Sequence, residues 1–119
     1  MKKSVAIIGG GAAGLAAASL LDPAQFEVTI YEKNKTIGRK FLVAGIGGFN
    51  LTHAEPIEKL IEKYSSHQFL KPALLHFNNL SVQEWFSKMG VPTFIGSSQR
   101  VFPEASFKPI QVLDAMVKI

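Results

Sequence analysis

Residues 4–14 read SVAIIGGGAAG, a short apolar run with β-branched residues that breaks into three consecutive glycines. Gly9, Gly11 and Gly14 satisfy G-x-G-x-x-G, and this spacing constrains the chain more than any other feature. It calls for a strand, a tight turn and a helix in immediate succession. Ser4 to Ile8 supply the strand, and such a run is expected in a parallel sheet buried on both faces. LAAASLL continues with good helix formers until Asp22-Pro23 stops them. A second strand follows, with Phe26, Val28 and Ile30 alternating with Glu27, Thr29 and Tyr31 before Glu32.

Each glycine has a separate mechanical task. Gly9 allows the turn from strand to helix, Gly11 lets a pyrophosphate approach the backbone, and Gly14 lets the helix pack closely on the sheet. The amides around Ala12 and Ala13 then lie at a helix N-terminus, where unpaired N–H groups and the dipole favour an anion. Glu32 lies 18 positions after Gly14, close to the spacing of roughly 20 at which an acid accepts from a ribose 2′-OH. A carboxylate there repels a 2′-phosphate, which disfavours NADP as the occupant. The same opening run is a poor secretory signal, because glycines interrupt its apolar core and a charged strand-like segment follows. As a membrane span it is marginal in length.

The remaining totals narrow the class. The chain has 119 residues, 47% of them hydrophobic and 18% charged, which fits one globular domain. It has no cysteine, so disulfides, zinc-thiolate sites and iron-sulfur clusters are excluded. That absence suits the cytoplasm, the expected location. The net charge is +4, yet only Arg39 and Arg100 are arginines and the lysines form no long run. No dedicated nucleic-acid module is expected, and a basic balance also suits a protein that holds an anionic dinucleotide. No membrane partner and no metal site are expected; His67 and His76 have no carboxylate at a metal-ligand spacing.

After Glu32 the chain does not continue as a plain NAD-binding crossover. It gives a short basic loop, Gly38-Arg39-Lys40, an apolar FLVA, and a second glycine-rich loop with Gly45, Gly47 and Gly48 before Asn50, Thr52 and His53. The pattern GGGAAGLAA followed by YEKNKTIGRKFLVAGIGGFNLTH resembles the bacterial NAD(P)/FAD-dependent oxidoreductases of the aminoacetone-oxidase family. These are BaiN-like flavoproteins with the architecture of the glutathione-reductase type. That family carries K-x-x-x-x-G-R-K after the acid, matched by Lys33, Gly38, Arg39 and Lys40. A glycine-rich segment ending in N-x-T is matched by Gly45, Gly47, Gly48, Asn50 and Thr52. A G-R-V-F-P segment before a helix is matched by residues 99 to 103, with Gln99 where glycine is usual. Many relatives have a basic residue inside the second glycine loop, where Ile46 and Gly48 supply no charge.

The resemblance implies an α/β fold, a Rossmann-like FAD/NAD(P)-binding βαβ start with a helical insertion. It implies that Gly9, Gly11, Ala12, Ala13, Gly14 and Glu32 hold the ADP half of FAD. Lys33 belongs to the matched motif, Arg39 and Lys40 would sit near the pyrophosphate or ribitol, and the loop with Asn50 near the flavin end. NAD(P)H is the candidate electron donor. Residues 1–53 are expected to form the dinucleotide-binding unit with its second loop, and residues 54–119 a mostly helical continuation of the same domain. Only two parallel strands are evident, so the expectation is an incomplete domain whose parent supplies a missing C-terminal remainder. The parent would be a flavin-dependent oxidoreductase and this piece alone inactive; the alternative is a non-catalytic or incomplete module for NAD or ADP. No catalytic residue is evident.

The rest reads as scaffold. PIEKLIEK (56–63) and LKPALLHFNN (70–79) suggest helices, and Ser81 with Glu84 gives a capping-box signature for another. Trp85, Phe86 and Met89 make an apolar stripe read as core, with Gly90 ending that helix. Residues 91–95 and 100–102 suggest short strands around Gly96-Ser97-Ser98. Ile110, Leu113, Met116 and Val117 suggest a last helical face.

Overall fold

A computed structural model describes residues 1–43 and 49–118, so the expected second glycine loop at Gly45, Gly47 and Gly48 lies outside the described residues. The strands β1 (Lys3–Ile8) and β2 (Phe26–Tyr31) are parallel, in register from Lys3 opposite Phe26 to Ile8 opposite Tyr31. The helix α1 (Ala12–Ser19) is the crossover that makes this parallel pairing possible. It stops at Ser19, earlier than Asp22-Pro23. Asp22 instead organises the turn after it, its carboxylate accepting the Ala24 amide at 2.8 Å.

β1 is not buried on both faces. Val5 and Ile7 are half-buried, whereas Ile8 is 82% exposed and Tyr31 beside it 57% exposed. Among the described residues helices cover one face of this strand pair, so the side chains alternate as in a one-sided sheet. On the covered side Leu15 of α1 and Met116 of α6 (Pro109–Val117) are buried. α6 packs against α1 and against α2 (Arg39–Val43). Its buried residues are Val112, Leu113 and Met116, while Ile110 and Val117 are about half exposed. Two neighbouring helices therefore draw a different stripe from the one expected. Arg39 and Lys40 open α2 rather than lying in a loop.

The chain forms two compact units, one of Met1–Ile46 with Lys108–Ile119 and one of Gly47–Phe107. In the second, β3 (Thr52–His53), β4 (Thr93–Ile95) and β5 (Arg100–Pro103) form an antiparallel sheet in the order β3-β5-β4. Three helices accompany it, α3 (Ile57–Glu62), α4 (His67–His76) and α5 (Asn79–Lys88). Val91 and Val101 are fully buried and Phe86 nearly so. Trp85 meets Phe77 and Phe86 edge-on, with ring centroids 6.4 and 4.9 Å apart. The capping box is built by Asn78, not by Ser81 with Glu84. Asn78 Oδ1 accepts from the amides of Leu80 and Ser81, and the Ser81 hydroxyl accepts from the Asn78 amide. An asparagine three residues upstream of a serine supplies the same reciprocal bonds one turn earlier.

Asn79 is buried and donates to the carbonyl oxygens of His53 at 2.7 Å and Glu55 at 2.9 Å. Glu55, also buried, is paired with Lys63. A buried charge of this kind needs such a partner. Gln99 sits in the turn between β4 and β5 with φ of 60°, the left-handed conformation that explains why glycine suits the position. Gln99→Gly should raise stability by about 0.5 kcal/mol, the left-handed penalty relieved less the backbone entropy of glycine. The check is a higher urea midpoint at unchanged slope.

Candidate functional site

The end of β1 runs directly into the glycine loop, and the loop is stitched to its surroundings through the backbone. Gly9 has φ of 109°, a value a β-carbon opposes, and its amide donates to the Tyr31 carbonyl at 2.8 Å. The Gly10 carbonyl accepts the Gly38 amide at 2.7 Å. The Gly10 amide donates to Glu32 Oε2 at 2.9 Å. The loop is thus fixed to the end of β2 and to the segment that enters α2.

The other two motif glycines face opposite demands. A β-carbon on Gly14 would run into the Gly9 carbonyl oxygen and approach Ile7, so this glycine serves the packing of α1 on the turn. A β-carbon on Gly11 would meet nothing within 4 Å. Among the described residues nothing requires glycine at position 11. Gly11 is the N-cap of α1 and offers no capping side chain, leaving the first-turn amides, at Ala12 and Ala13, without one. The open space beside these amides could take an anion, and a pyrophosphate would fit that donor set.

Glu32 is held on three bonds. Oε1 accepts the backbone amide and the side-chain amide of Asn34, both at 2.8 Å, and Oε2 accepts Gly10. A carboxylate offers about four acceptor sites, so one remains on Oε2 for a hydroxyl. The Asn34 backbone amide and then the Gly10 amide hold the Glu32 carboxyl below its ordinary range, with the Asn34 side chain and the Lys33 charge adding to them against the opposing effect of burial. Because the folded state lowers this pKa, its stabilising contribution is complete above the unfolded carboxylate range and is lost as pH falls through the lowered value. Glu32→Gln should therefore flatten the acid limb of the stability curve. Urea midpoints measured from neutral pH into the acid range check this.

A cleft of about 470 Å³ gathers these parts. Gly9, Gly11, Glu32, Lys33, Arg39 and Lys40 all line it. Ala12 and Ala13 are exposed in the adjoining first turn of α1. Asn50 lies in the second unit, just before β3. Sequence reasoning missed Gly10 and Asn34 and gave Gly38 no role beyond its place in the matched motif. Asn34 left a signal, an asparagine two positions after the carboxylate, where its side chain and amide both reach back. Among the described residues no cluster of metal-ligating side chains occurs, and no helix is long and apolar enough to cross a membrane.

Comparison with known proteins agrees with the resemblance read from the motifs. Residues 3–119 match the family described as the HI0933-like protein Rossmann domain. The chain is also similar to a Haemophilus influenzae protein described as ribosomal RNA dihydrouridine synthase, with 35% identity over 85 residues. That match covers 71% of this chain and 21% of the relative, so the chain spans about a fifth of that protein.

Proposed function

The chain belongs to the HI0933-like family through its Rossmann domain, and we propose that it holds FAD within a flavin-dependent oxidoreductase. The observation that carries this reading is a cleft lined by both the open Gly11 turn and the anchored Glu32 carboxylate, with the first turn of α1 beginning at its edge. There Glu32 would accept from the adenosine ribose, and the amides of Ala12 and Ala13 would bind the pyrophosphate. Lys33, Arg39 and Lys40 would add positive charge along the same wall. When bound, the flavin supplies the hydride or electron transfer, and the protein supplies position and electrostatics.

The relative's name supports a reaction class for the parent. Making dihydrouridine adds two hydrogens across a carbon–carbon double bond of uridine, and the name places that uridine in ribosomal RNA. We extend this to the present chain as the FAD-holding part of an enzyme that reduces a double bond in an RNA base, with NAD(P)H as electron donor. Nucleic acid, set aside on composition alone, then becomes the carrier of the substrate.

The test is the visible spectrum of the purified chain, with acid release and chromatography of any nucleotide. Flavin absorption and released FAD are the expected result. A colourless chain that still binds ADP would keep Glu32 and the glycine loop but move the flavin contacts elsewhere. A chain that binds neither FAD nor ADP sinks the reading.

A further inference from the structure

The positive charge of this chain is concentrated. Of its 13 basic and 9 acidic residues, eight basic and four acidic lie in the first unit, which therefore carries the whole +4 while the second is neutral. Within the first unit, residues 33–40 hold Lys33, Lys35, Arg39 and Lys40 and no acid. All four side chains are exposed, and among the described residues none forms an ion pair with a carboxylate. The adjacent Glu32 carboxylate is hydrogen-bonded to Gly10 and Asn34 and feels the charge of Lys33 without pairing with it. A pyrophosphate, with one negative charge on each phosphate, cancels only half of the unit's surplus.

We infer that Lys33 and Lys35, with Arg39 and Lys40 beside them, form a surface at the lip of the cleft that binds the phosphate backbone of RNA. The inference rests on the reading above that the substrate base is carried by RNA. Cations distributed over eight residues suit a polyanion that presents one charge per nucleotide. A single 2′-phosphate reaches only one or two of them and is opposed by the Glu32 carboxylate. Lysines, as flexible point charges, suit backbone contacts that carry no sequence information. Lys35 is outside the cleft lining, so a bound dinucleotide leaves it free for a second anion.

The experiment titrates a labelled, uridine-containing RNA hairpin with the FAD-saturated chain between about 50 and 200 mM salt. Affinity should fall steeply with salt. The double variant Lys33→Glu, Lys35→Glu should bind at least about tenfold more weakly, with a salt slope shallower by about two. Lys35→Glu alone should weaken RNA binding and keep the FAD affinity of the unmodified chain. Lys2→Glu, exposed at the opposite end of β1 from the glycine loop, should change RNA binding less than about twofold. Three results would overturn the assignment: no RNA binding, an equal loss in Lys2→Glu, or displacement of RNA by NADP at equimolar amounts. RNA binding with the expected charge dependence in a chain that holds no FAD would uphold the surface and sink the cofactor reading instead.

Discussion

Gly11→Val should leave the chain folded and remove its nucleotide. The backbone at position 11 has φ of −82° and ψ of −173°, an extended conformation open to any residue. Among the described residues, none beyond its chain neighbours has an atom within 4 Å of where its β-carbon would stand, so the fold accepts that carbon. The cost to stability is the poorer N-cap, about 1 kcal/mol or less. The isopropyl group would instead fill the space through which a phosphate reaches the amides of Ala12 and Ala13. Affinity for ADP should fall at least about 100-fold, equivalent to about 2.7 kcal/mol. Calorimetric titration with ADP, alongside urea unfolding, separates the two effects. Wild-type affinity in this variant would mean that the anion does not approach through the glycine loop.

What could be read from the sequence was what the local backbone enforces. A strand, three glycines at fixed spacing, a helix and a terminal acid specify one another over a short stretch, and β1, α1, β2 and Glu32 stand where the motif puts them. The half-exposure of β1 was not legible. It depends on which face α1 and α6 cover, and nothing within SVAII encodes a helix that begins at Pro109. The anchoring of Glu32 through the Gly10 amide was equally hidden, because a backbone amide carries no residue-type signature. The cap at Asn78 shows a different failure. Ser81 and Glu84 satisfy the capping pattern, and only the position of the helix start decides between two polar residues that can both serve. Gln99 is a different case: the sequence marks it only as a departure from the usual glycine, and its φ of 60° supplies the backbone reason that glycine suits the position.

Gly14→Ala should destabilise the chain by about 3 kcal/mol, the upper end for forcing an extra methyl into a packed site. The same addition at Gly11 meets open space, so the pair isolates packing from chemistry. At position 14 the obstacle is the Gly9 carbonyl oxygen, which is backbone and has no rotamer to adopt. Gly9 is itself held by its amide bond to the Tyr31 carbonyl and by a φ of 109°. Relief therefore requires α1 to move off β1, and that motion exposes Leu15, which is only 3% exposed. A loss of this size lowers the melting temperature of a domain near this length by more than about 10 °C. Thermal unfolding followed by circular dichroism reads it directly, with Gly11→Ala as the comparison. If the two variants melt together within a few degrees, the close seat of α1 on the turn does not hold the loop in shape, and the tight packing assigned to Gly14 is wrong. If only Gly14→Ala falls, Gly14 serves the close seat of α1 on the turn, and Gly11 has no share in that packing.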